Sequence, residues 1–180
     1  MAEIICGGFG GQGILTTGMI LANIGVDQGL EVSWSPSYGS EMRGGTANCN
    51  VIITDDEVGS PTVTYPDLLV VMNNPALEKF AGKVRPSGSI IIDSSIIPED
   101  TVFPDGVKVY SVEATNIANE MANPRGANVV MLGAVIKASG IFDKETAKAG
   151  MNKFFDNKGK NRPVNGDCFE AGYEKVKQIR

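Results

Sequence analysis

Short, continuous apolar runs alternate along this chain with stretches in which apolar residues return every three or four positions. Glu3–Cys6, Leu68–Met72 and Ser89–Ile92, the last ending at Asp93, are strand-length runs of the kind found in a sheet covered on both faces. Ile14, Gly18, Leu21, Ala22, Gly25 and Val26 recur on one helical face, and Gly29 is placed to end that helix. Glu31–Trp34 and Val107–Val112 read as strands, as does Asn48–Thr54, which runs into a turn at Asp55 and Asp56. A helix is predicted over NNPALEKFAG, with Asn74 as N-cap and Pro75 at the first helical position. Further helices are predicted over Ala114–Met121, over Val129–Ala138 with Asn128 as cap, over Lys144–Asn157, and over a closing segment carrying Phe169, Tyr173 and Val176. Val129–Ala138 is apolar nearly all round, which predicts burial in the core or beneath a partner. SPSYGSEMRGGTA has neither period and reads as a long ordered loop, and KGKNRP reads as a mobile one.

Strands alternating with helices predict a single three-layer α/β/α Rossmann-like domain over 1–180, with a mostly parallel or mixed central sheet. Strand, glycine loop, helix and strand in succession predict a right-handed βαβ start. Composition fits a globular chain: 42% hydrophobic and 21% charged. The net charge of -5, with no long basic run, argues against a nucleic-acid partner. No apolar run is long enough to span a bilayer, and the early Glu3 does not suit a signal peptide, so a cytoplasmic protein is expected. Cys6, Cys49 and Cys168 form no CxxC pair, so no iron–sulfur or zinc signature is present. There is no histidine, which removes the commonest general base and metal ligand and any Ser-His-Asp triad.

Five of the seven residues from Gly7 to Gly13 are glycine, and Gly8, Gly10 and Gly13 spell G-x-G-x-x-G. Such a loop brings backbone N–H groups and a helix N-terminus close to a bound group, and phosphate is a natural guest. The dinucleotide reading needs an acid at the end of the second strand, and Glu31 lies at that strand's beginning. No GK[ST] follows, so the Walker pattern also fails. Three readings stand: a tight strand-to-helix turn, a ligand-contacting loop, or a loop packed against another polypeptide. The second unusual segment is Ser37-Tyr38-Gly39-Ser40-Glu41-Met42-Arg43-Gly44-Gly45. Arg43 beside two glycines suits a phosphate or carboxylate clamp, with Glu41 orienting it, and it equally suits a surface turn with a local ion pair. Both loops follow strands, so both are predicted at the carboxyl edge of the sheet, where ligands bind.

Taken together, GGFGGQGIL, YGSEMRGGTANCNVIITDDEVGSPTV and PDLLVVMNNPALEKF resemble the gamma subunit of the 2-oxoacid:ferredoxin (2-oxoacid:acceptor) oxidoreductases. The resemblance covers most of the chain, is strongest from Gly7 to Phe80, and returns at Asn128–Gly133. It implies a complex that oxidatively decarboxylates a 2-oxoacid to an acyl-CoA and CO2 and passes electrons to ferredoxin. Thiamine diphosphate and magnesium then belong to the alpha and beta subunits, and iron–sulfur clusters to other chains or domains, including a delta ferredoxin-like subunit. This chain would hold no cofactor or metal alone, contribute no catalytic residue, and be inactive in isolation, where it could pair with a second copy. Gly8, Gly10, Gly11, Gln12, Gly13, Ser37, Tyr38, Glu41, Arg43, Gly44, Gly45, Asn73 and Asn128 are the implied cofactor-binding or interface positions, at an inter-subunit surface near the coenzyme A approach. Family members act on pyruvate, 2-oxoglutarate, branched-chain 2-oxoacids or indolepyruvate. The short length and SPTV stretch look most like the 2-oxoglutarate or 2-oxoisovalerate type. The rival classes are a stand-alone nucleotide-binding oxidoreductase and a regulatory binding domain.

Overall fold

The computed structural model describes residues 1–38 and 46–180. Its strands are β1 (Ala2–Phe9), β2 (Glu31–Tyr38), β3 (Thr46–Thr54), β4 (Leu68–Val71), β5 (Ser89–Asp93), β6 (Lys108–Val112) and β7 (Lys177–Gln178). They form one mixed sheet in the order β2-β3-β1-β4-β5-β6-β7. β1, β4, β5 and β6 are parallel, whereas β3 is antiparallel to both β1 and β2, and β7 is antiparallel to β6. The helices are α1 (Ile14–Asp27), α2 (Asn74–Phe80), α3 (Ala114–Glu120), α4 (Ala127–Ser139), α5 (Lys144–Asn157) and α6 (Pro163–Lys175).

Alternation along the strands divides the core in two. Ile4, Cys6, Val51, Ile53 and Val70 face the layer built by α1, α3, α4, α5 and α6. Ile5, Ile52, Leu69, Val71 and Ile92 face a thinner layer made of α2 and of extended segments carrying Val63, Ile97 and Phe103. Ile4, Leu69, Ile91 and their neighbours are wholly buried, and each such side chain contributes roughly 1.5–3 kcal/mol.

Helix α4 lies inside the thicker layer, and α6 covers it so closely that side chains are excluded at the contact. A methyl on Gly172 would overlap the Val130 carbonyl, and one on Gly133 would overlap the Phe169 carbonyl. The apolar girth of α4 is therefore matched by its own chain. Helix α1 is buried on two sides, since Ile24 packs beneath Gly150 of α5 while Gly18 and Gly25 meet the sheet.

Several predicted boundaries shift for identifiable reasons. Ser35–Tyr38 extend β2 and Thr46–Ala47 begin β3, because β3 pairs with β2 from Glu31↔Thr54 to Tyr38↔Ala47. The rest of the predicted loop, 39–45, lies outside the described residues. The βαβ expectation is corrected: β3 separates β2 from β1. Val26, placed on the buried face by its spacing, is 61% exposed, and Ile20 and Ile24 take the interior instead. Asn73, not Asn74, caps α2, with Pro75 one position inside. Asn128 does not cap α4, which begins at Ala127. Val176 lies just beyond α6 and leads into β7, a strand of two exposed residues that gave no apolar signal.

Close α4–α6 packing gives a paired expectation. Gly172→Ala should destabilise the protein by about 1–3 kcal/mol or more through overpacking, because only backbone can yield. Gly166→Ala, which would meet nothing nearer than Lys148 Cε at 3.9 Å, should gain roughly 0.5–1 kcal/mol of helix propensity. Urea unfolding of both variants checks the contrast.

Glu170 of α6 bridges Lys144 and Lys148 of α5, with Lys148 Nζ donating to Oε1 at 2.6 Å. Lys144 and then Lys148 hold its carboxyl below the ordinary value of 4.5. A lowered folded pKa adds stability above the unfolded value and loses it as pH falls through the folded one. Wild type should exceed Glu170→Gln by about 1 kcal/mol or less above pH 4.5. The difference should vanish in more acid solution, as read from urea midpoints against pH.

Candidate functional site

Strand β1 delivers its glycine-rich end to the carboxyl edge of the parallel strands. Gln12 N–H donates to Phe9 O at 3.2 Å and closes the turn. The Gln12 side chain then reaches back across the loop. Phe9 N–H donates to its Oε1 at 2.6 Å, and its Nε2 donates to Met72 O at 2.9 Å. One glutamine thereby staples the loop to the end of β4. A side chain on Gly8 would enter this space, with its Cβ 2.8 Å from Gln12 Oε1.

Gly13 starts α1 in the left-handed region, at φ 78°, and has no side chain to cap the helix. Its carbonyl accepts from Thr16 N–H at 2.9 Å, Thr17 N–H at 3.1 Å and Asn128 Nδ2 at 3.3 Å. Thr17 Oγ1 donates in return to Asn128 O at 3.0 Å. A Cβ at Gly13 would stand 2.8 Å from Asn128 Nδ2. Asn128 is thus drawn to the glycine loop as a clamp between α1 and α4. Gly10 and Gly11 differ from their neighbours: among the described residues, nothing lies within 4 Å of where their side chains would be. The described residues thus brace the loop from within and leave its outer side uncovered.

Asn73 follows β4 and is wholly buried. Its Oδ1 accepts from Ala76 N–H at 2.8 Å, while its Nδ2 has no partner among the described residues. Leaving such a donor unpaired costs about 1–3 kcal/mol. Asp93 ends β5 at the same edge, a residue the sequence marked only as a strand end. It accepts from Thr115 Oγ1 at 2.6 Å, from Thr115 N–H at 3.2 Å and from Ser95 N–H at 3.1 Å. That carboxylate is fully used in seating α3.

Register brings the two unusual segments together. Ser37, Asn48, Gly7 and Val71 form one row across β2, β3, β1 and β4, and Tyr38, Ala47 and Gly8 form the next. The backbone of β2 therefore ends beside the glycine loop. Glu41, Arg43, Gly44 and Gly45 lie outside the described residues. Helix α1 leaves β1 toward one face and α2 leaves β4 toward the other, so the chain diverges between these strands as at a ligand crevice of an open α/β sheet. A dinucleotide would require β2 beside β1, yet antiparallel β3 occupies that place. A cavity of about 590 Å³ lies at the opposite edge, among Ala2, Leu30, Thr54, Ser89, Lys108 and Ser139. None of the predicted positions lines it. Among the described residues no three His, Cys, Asp or Glu side chains converge as a metal site. The donor set present does not suit magnesium or an iron–sulfur cluster. No helix among them is long and apolar enough to cross a membrane.

Residues 3–175 match the family model for pyruvate ferredoxin/flavodoxin oxidoreductase. Ketoisovalerate oxidoreductase subunit VorA of Methanothermobacter marburgensis is 41% identical over 167 residues, 92% of this chain and 34% of VorA. This chain thus spans about a third of the length of the curated relatives it matches first. Among solved structures, the keto/oxoacid ferredoxin oxidoreductase gamma subunit from Geobacter sulfurreducens superposes with TM-score 0.79 at 27% identity, over 97% of this chain and 98% of that one. The 2-oxoglutarate:ferredoxin oxidoreductase of Magnetococcus marinus, with 2-oxoglutarate, coenzyme A and succinyl-CoA bound, gives TM-score 0.81 at 27% identity, over 95% of this chain and 30% of that one.

Gln12→Ala should cost about 1–3 kcal/mol, because Phe9 N–H and Met72 O lose their partner together. Amide exchange at Phe9 should quicken while exchange in β5 keeps its protection, as hydrogen-exchange mass spectrometry resolves.

Proposed function

This chain belongs to the pyruvate ferredoxin/flavodoxin oxidoreductase family, and from that premise we propose that it is the gamma-type subunit of a 2-oxoacid:ferredoxin oxidoreductase. The complex oxidatively decarboxylates a 2-oxoacid, with 2-oxoglutarate or 2-oxoisovalerate favoured, to acyl-CoA and CO2, and electrons go to ferredoxin. The carrying observation is the family match over residues 3–175. The relatives that act on ketoisovalerate and 2-oxoglutarate support the substrate class.

Thiamine diphosphate, magnesium and iron–sulfur clusters reside in the alpha, beta and delta partners. The braced glycine loop, uncovered on its outer side among the described residues and sharing a sheet edge with the end of β2, supports a role as contact surface rather than as catalyst. Gly10 and Gly11 present backbone to whatever approaches, and the α1 N-terminus behind them favours an anionic group. Coenzyme A phosphate and a partner carboxylate are the two chemistries that fit. Arg43, outside the described residues, offers a planar guanidinium suited to the same anionic chemistries. Turnover then requires the assembled complex, and the isolated chain is inactive.

Three variants test this in the reconstituted complex. A Cβ at Gly10 meets no neighbour among the described residues, so the unfolding midpoint of Gly10→Leu should match wild type. This variant should nevertheless weaken subunit assembly or raise the KM for coenzyme A at least several-fold. Arg43→Ala should behave likewise, since breaking one side of a buried charge pair costs roughly 3–5 kcal/mol. Arg43→Lys should recover little of the loss. Wild-type assembly and coenzyme A dependence in all three would defeat the contact-surface reading. 2-oxoacid oxidation by the isolated chain would defeat the subunit assignment itself.

A further inference from the structure

Two cysteines stand opposite one another at the foot of the glycine loop. Cys6 of β1 and Cys49 of β3 are direct partners in the antiparallel register. Both belong to the core layer beneath α1 and both are fully buried. Directly opposed residues in such a pair have Cα atoms about 4.5–5.5 Å apart, inside the range of about 4.4–6.8 Å that a disulfide spans. Gly18 of α1 lies over the pair, and a methyl there would stand 2.5 Å from Cys49 Sγ and 3.5 Å from Trp34 Nε1. A missing side chain on α1 thus makes the notch in which Cys49 sits. The indole N–H beside it has no hydrogen-bond partner among the described residues. Cys168 is remote from the pair, near Asn123 and Met121.

We propose that Cys6 and Cys49 form a redox couple, a dithiol that closes to a cross-strand disulfide when a peroxide reaches it. The two thiols titrate unequally. The Cys6 thiol and then the Trp34 indole N–H lower the pKa of Cys49 against the opposing effect of burial. Cys49 and then burial push Cys6 well above the ordinary thiol range. Cys49 is accordingly the attacking sulfur. Its thiolate displaces hydroxide from hydrogen peroxide as the O–O bond breaks; the hydroxide takes up the proton that Cys49 shed and leaves as water, and a sulfenic acid remains. Cys6 sulfur then attacks Cys49 sulfur, the S–S bond forms, and the sulfenic oxygen leaves with the thiol proton as a second water. Two thiols and one peroxide become one disulfide and two waters, so two electrons pass to the peroxide. A small oxidant suits a pair that no protein thiol can touch. Closure ties β1 to β3 in the row next to the Gly7–Asn48 pair, below the loop.

The full-length chain is treated with hydrogen peroxide under native conditions, quenched, unfolded and alkylated. Reduced protein carries three reactive thiols, and oxidised protein should carry one. Non-reducing peptide mapping should recover a Cys6–Cys49 cross-link within one chain. Cys168→Ala should form it unchanged, and Cys6→Ala should abolish it and leave Cys49 as sulfenic or further oxidised sulfur. Dithiothreitol should restore both thiols. Three thiols surviving peroxide, or thiol loss confined to Cys168 or to cross-links between chains, would overturn the proposal. The wild-type peptide map decides the matter even if Cys6→Ala folds poorly.

Discussion

A helix that starts at a left-handed glycine has no side-chain cap of its own, and the start of α1 is held instead from across the core. The Gly13 carbonyl receives the Asn128 side chain while Thr17 Oγ1 returns a bond to the Asn128 carbonyl. This reciprocal joint ties the glycine loop to α4, and α4 in turn is locked by α6 at a contact where only glycine fits. The loop's position is therefore set by the deepest layer of the molecule. Gln12 completes the arrangement from the other side by fastening the loop to β4. Bracing of this kind holds a backbone surface ready before any partner or ligand meets it, so less ordering entropy is lost on contact.

Legibility in the sequence followed the strength of the local signal. β5, bounded by Asp93, and α5, with its apolar stripe, were readable because the local apolar pattern agrees with burial along each element. The β2–β3 hairpin was not. Ser35, Pro36 and Ser37 have neither alternation nor strand propensity, and they are extended because β3 pairs with them. The cover over α4 was equally hidden: Gly172 reads as a weak helix residue until the Val130 carbonyl is seen against it.

The site divides in the same way. The glycine spacing announced a special loop but not its staple, since nothing in G-x-G-x-x-G says that the Gln12 side chain turns inward to Phe9 and Met72. Asn128 was singled out and then assigned the wrong task, because an asparagine before an apolar helix looks like a cap. Its actual partner is 115 residues away in the chain, a distance over which propensity carries no information. The dinucleotide reading lost its basis for a topological reason: the neighbour of β1 is an antiparallel strand entering from 39–45.

The two outer strands of the sheet bear on how other chains can join this one. β2 carries Pro36, which offers no N–H, and β7 is only two residues long. Among the described residues, β7 is too short to offer a long ladder of free amides and carbonyls, and Pro36 interrupts the one along β2. Growth of the sheet from subunit to subunit is thereby discouraged. Neighbours are left to dock through side chains on the helical layers or through the loops at the strand ends, where specificity rests on shape and charge rather than on generic backbone pairing.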